Sequence, residues 1–71
     1  MPTKRSRMIR HRHEYPLAIQ ALLADEEPEE TEESREALIR AYYFNHFLEL
    51  GPEIERKAGA VLDRWRAKRS L

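Results

Sequence analysis

Three histidines and thirteen acidic side chains, with no cysteine, are the groups in this 71-residue chain that could do chemistry. His11 and His13 stand two apart with Glu14 beside them. On an extended segment both rings could face one way and hold a transition metal loosely. A structural or catalytic zinc site needs about four fixed positions, and only His46 remains to complete one. His46 falls among aromatics at a helix edge, where a packing role is expected. Disulfides and thiolate ligands are excluded outright. No Ser-His-Asp set can be assembled, and the glutamates fall in runs that solvate a surface. A catalytic carboxylate instead needs a concave, partly dry setting to move its pKa. Gly51 and Gly59 are the only glycines, so there is no phosphate-cradling loop. The expectation is a non-enzyme with no metal, no cofactor and no small-molecule substrate.

What the residues do offer is attraction for phosphate and apolar contact. Residues 1–13 carry Lys4, Arg5, Arg7, Arg10 and Arg12 and no acid. In composition alone this arm resembles the arginine-rich tails that coat nucleic acid, since guanidinium matches phosphate in bidentate geometry. Five such contacts would give a salt slope of roughly −4 to −5 on duplex DNA. The alternative is a terminus that only solubilises. Gly51 lies between two helical segments, which suggests a helix-turn-helix. In that motif the start of the second helix meets the bases, and here that start holds Glu53 and Glu55, which repel phosphate. Any nucleic-acid contact is therefore expected from the arm and from the 64–69 end, through the backbone and without base reading.

The zero net charge conceals a segregation. Residues 14–36 carry nine acids against Arg35, and residues 37–71 are mildly basic, ending in Arg64, Arg66, Lys68 and Arg69. The acidic stretch 26–33 could fold against the arm and mask it, or imitate nucleic-acid phosphates toward a basic protein. No apolar run approaches the ~18–20 residues that span a bilayer. The apolar stretch 17–24 is short, contains Gln20 and is preceded by Glu14 and Pro16, unlike an export signal. A cytoplasmic protein without membrane contact is expected.

The elements follow from punctuation and period. Residues 1–13 lack hydrophobic periodicity, with Met8 and Ile9 the only large apolar side chains after the initiator, so the arm is expected to be flexible. One domain, 14–71, should follow, all-α with three helices, one short and two long. The first spans about 16–26, with Pro16 at its first position, a stripe of Leu17, Ala21 and Ala24 flanked by Ile19, Leu22 and Leu23, and Pro28 beyond its end. Thr31 is the expected N-cap of the second, placing Glu32 and Glu33 where the helix dipole favours negative charge. That helix is expected over 32–50, stopped by Gly51-Pro52, with the third over 52–69 and almost no loop between them. Ile54, Ala58, Val61 and Trp65 give the third helix one apolar face. Gly59 costs it roughly 1 kcal/mol relative to alanine, unless something packs closely there.

Helix two is the most informative element. At 100° per residue it carries two apolar stripes on opposite sides. One is Ile39, Tyr43, Phe47 and Leu50 with His46 at its edge; the other is Ala37, Ala41, Phe44 and Leu48. Leu38, Tyr42, Asn45 and Glu49 form a mixed strip between them. A helix apolar on two sides needs two neighbours, and helices one and three offer little surface to cover both. Exposed aromatics in such a patch mark an interaction site. A single core of this size seldom supplies more than about 3–5 kcal/mol, and with no disulfide a second subunit is the natural staple. The reading is a non-catalytic helical protein–protein interaction module, an adaptor or regulator, docking on a copy of itself or a larger protein. Ile39, Tyr42, Tyr43, Phe44 and Phe47 are the candidate interface, although they could simply form the core of a small bundle. The alternative function is a nucleic-acid-associated protein using Lys4, Arg5, Arg7, Arg10 and Arg12.

Overall fold

A computed structural model describes residues 11–70, with side chains through Arg69. The chain is all-α. Helix α1 spans Leu17–Leu23, α2 Glu32–Tyr43 and α3 Pro52–Ser70, and short 3-10 turns occupy Arg12–Glu14 and Leu48–Leu50. The basic arm lies outside the described residues apart from its last three.

Helix α1 is shorter than its apolar run and buries a different face from the one expected. Pro16 caps it from outside (φ −55°, ψ 151°) instead of opening its first turn. At the other end Asp25 adopts a left-handed conformation (φ 60°). The Glu26 N–H then reaches back to the Ala21 carbonyl at 2.8 Å and the Asp25 N–H to Leu22 at 3.0 Å. These paired bonds close the helix by satisfying its last carbonyls, well before Pro28. Ala18, Ile19 and Leu22 are buried, whereas Leu17 is 78% exposed. Only Gln20 is polar among the seven residues of this helix. Periodicity therefore carries no directional information, and packing chooses the face.

The start of α2 matches the sequence. Thr31 Oγ1 accepts the Ser34 N–H at 3.0 Å, and Glu32 and Glu33 lie in the first turn. The end does not: the helix stops at Tyr43, seven residues before the expected Leu50. Asn45 takes the left-handed region at φ 52°, which Asn tolerates better than most residues. The Phe44 and His46 N–H groups both return to the Arg40 carbonyl at 3.1 Å. The chain then turns through Leu48–Leu50 to Gly51, whose φ of 99° favours glycine. Gly51 thus caps this turn and not a long helix, and a real connection separates α2 from α3.

Helix α3 begins at Pro52 as expected and buries Ile54, Ala58, Val61 and Trp65 along one face. These residues meet Ala37, Leu38 and Ala41 of α2 and Ile19 and Leu22 of α1 in one core. Leu38, assigned from the sequence to a mixed strip, is fully buried at its centre. Gly59 is buried beneath the Tyr42 ring: a Cβ there would lie 2.5 Å from Tyr42 Cε1. Its cost to helix propensity is the condition for that ring to lie on α3.

The acidic linker between α1 and α2 is a strap along α3. Asp25 pairs with Lys57. Glu27 Oε1 accepts from Arg64 Nη2 at 2.7 Å and Nε at 2.9 Å, and Glu27 Oε2 accepts the Trp65 indole N–H at 3.2 Å. Glu30 gathers Arg69 at 2.9 Å, Arg35 at 3.3 Å and Lys68 at 3.6 Å. Partly exposed pairs are individually weak, but together they fix the linker's path over the buried Trp65.

Candidate interaction surface

The break at Asn45 divides the aromatics of the α2 end into two sets. Phe47 drops into the core at 5% exposure and packs edge-on against the buried Tyr15 ring, with centroids 5.9 Å apart and planes at 68°. The Tyr15 hydroxyl donates to Glu49 Oε2 at 3.0 Å, fastening the 44–51 segment to the start of the domain. His46 lies flat on Phe47 at 4.9 Å. The buried Phe47 therefore anchors the loop and is removed from the candidate interface. Ile39 is half-buried. It flanks the surface without standing on it, because α2 ends before the Ile39–Tyr43–Phe47 stripe can form.

The other set stays outside. Tyr42, Tyr43, Phe44 and Leu48 are 41%, 59%, 71% and 60% exposed. Tyr42 is held on Gly59, and Tyr43 meets it edge-on with centroids 4.8 Å apart. Helices α1 and α3 both pack on α2, so the two neighbours the sequence demanded are present and these side chains are still left over. Leu48, the fourth member, was legible only as part of the opposite stripe.

At the other end of the molecule, Arg64, Lys68 and Arg69 are engaged by Glu27 and Glu30. Phosphate binding at the end of α3 would have to displace those carboxylates. The Arg64 guanidinium beside Glu27 holds its carboxyl below the ordinary value of 4.5, helped by the Trp65 N–H and opposed by desolvation. Of the candidate nucleic-acid contacts, Arg12 is exposed, and Lys4, Arg5, Arg7 and Arg10 lie outside the described residues. His11 and His13 stack at 5.7 Å, both exposed. Among the described residues no group of three or more His, Asp or Glu could hold a metal ion, and no helix is long and apolar enough to cross a membrane.

Comparison of the chain with family models, with curated proteins and with solved structures finds no match.

Proposed function

We propose that this protein is a non-catalytic helical interaction module that docks on protein through the aromatic edge at the end of α2, most simply pairing with a second copy of itself. One observation carries the reading: three consecutive rings, Tyr42, Tyr43 and Phe44, stay exposed although α2 already packs against both other helices.

The size of the edge sets the strength of the contact. At about 200 Å² per side chain, the summed exposure of Tyr42, Tyr43, Phe44 and Leu48 is roughly 400–500 Å², the upper limit for one continuous apolar patch. That is the scale of the largest patch on a typical monomer, about 300–600 Å² and often functional. It is short of the ~800 Å² per partner of a standard stable interface. The rings therefore supply the central anchors, with half-buried Ile39 one turn away on α2, and a pair held by them forms and dissociates readily.

Sedimentation equilibrium across micromolar concentrations tests this, comparing the native chain with Tyr43→Ser/Phe44→Ser. The native chain should show a concentration-dependent rise in mass that the variant loses. Capture from the source cells, with and without nuclease, covers a different partner: a protein band that survives nuclease and depends on Tyr43 and Phe44 keeps the module reading. If native chain and variant sediment alike as monomers and capture the same proteins, the aromatic edge has no docking role.

A further inference from the structure

A second surface, independent of the aromatic edge, lies in the groove between α1 and the start of α2. The groove encloses about 880 Å³, with Leu17 and Ala37 among its apolar lining and Glu26, Glu29, Glu32 and Glu33 around it. None of these four glutamates has an ion-pair partner among the described residues, in contrast to Asp25, Glu27 and Glu30. The one basic side chain in the lining, Arg40, is already paired with Glu36 at 3.9 Å. Leu17, at 78% exposed, is the most exposed large hydrophobic side chain among the described residues. The groove thus calls for an occupant that joins apolar side chains to several positive charges.

We infer that its occupant is the chain's own basic arm, residues 1–10. The arm carries Arg7-Met8-Ile9-Arg10, an apolar pair between two guanidiniums, preceded by Lys4 and Arg5. Met8 and Ile9 match Leu17 and Ala37, and the arginines match the unpaired glutamates in bidentate geometry. The attachment is in the right place, because Pro16 is itself part of the groove lining. Ten residues can extend roughly 33–36 Å, and the seven residues of α1 are only about 10 Å long, so reach does not limit the contact. Tethering holds the arm at millimolar effective concentration, which lets individually weak, salt-screened pairs act together. In this closed form the groove withholds the arm's cations from polyanions, and a rise in ionic strength or a competing polyanion releases them.

The absence of cysteine makes Ser6→Cys a unique attachment point for a nitroxide in the full-length chain. In a dilute isotopically labelled sample, amides of Leu17, Ala18, Ala21 and Glu32–Ala37 should lose most of their intensity to paramagnetic broadening. They should recover it at about 1 M salt, where the Debye length is about 3 Å. The same label on Arg7→Gln/Arg10→Gln, which leaves the helical domain untouched, should broaden them far less. Broadening that is absent, spread evenly over the domain or unchanged by the arginine substitutions would overturn the inference. So would broadening found only when spin-labelled chains are mixed with separate isotope-labelled ones, since the occupant would then be another molecule's arm.

Discussion

Replacing Gly59 by alanine tests the central packing relation of this fold, because two opposed effects of known size meet at one atom. Gly59 lies inside α3. Taken alone, alanine there should stabilise the helix by about 1 kcal/mol. In the folded chain, however, the new methyl would lie 2.5 Å from Tyr42 Cε1 and 2.8 Å from Cδ1, so the ring must shift off its present seat. Tyr42 is 41% exposed. The covered part of the side chain, somewhat over 100 Å², is therefore worth up to about 3 kcal/mol if wholly lost. The loss exceeds the gain, and Gly59→Ala should destabilise the native chain by about 1–2 kcal/mol. With Tyr42→Ala already present there is no ring to displace, and the same substitution should stabilise by about 1 kcal/mol. Urea unfolding followed by far-UV circular dichroism on the four chains closes the cycle, with an expected coupling of about 2–3 kcal/mol. Equal stabilisation by alanine in both backgrounds would show that Tyr42 does not rest on α3, and the arrangement of the aromatic edge would fall with it.

Three further outcomes follow from the same structure. The carboxyl of Glu27 is held below 4.5 mainly by Arg64, so its contribution is complete above that pH and is lost as pH falls through the lower folded value. The stability gap between native chain and Glu27→Gln should therefore be largest at neutral pH, at about 0.5–1 kcal/mol for a pair this exposed, and should close in acid; a gap independent of pH would contradict the strap. Leu38→Ala empties the centre of the core and should cost about 2–5 kcal/mol, enough to unfold most of a domain this small, whereas Phe44→Ser should leave the thermal midpoint nearly unchanged; comparable losses in the two melts would place Phe44 inside. Asn45→Val puts a β-branched residue at positive φ and should destabilise by about 1–2 kcal/mol or more, while Asn45→Gly should be tolerated; if valine is accepted equally well in thermal melts, α2 does not end there.

Several features were readable in the sequence because their causes are local. Thr31 caps α2 through a bond to a residue three positions on, Pro52 opens α3 through its own ring geometry, and Ile54, Ala58, Val61 and Trp65 repeat with the helical period. Each of these is settled within about one turn of its neighbours. The surplus of apolar surface on the middle helix was equally legible, since it is a property of composition and angle.

The tertiary structure decided everything that depends on a distant partner. Whether α2 continues past Tyr43 is a contest between further helical bonds and the burial of Phe47 against Tyr15, and nothing near Asn45 states how much that burial is worth. That contest separates the buried Phe47 from the exposed Tyr43 and Phe44. The face of α1 is chosen by its neighbours, since six of its seven residues are apolar. Asp25, Glu27 and Glu30 read as solvated charge until the fold brings cations 32–39 residues away onto them. Backbone propensities and caps act over one or two turns, whereas the identity of a side chain's neighbour is fixed only when separate surfaces meet.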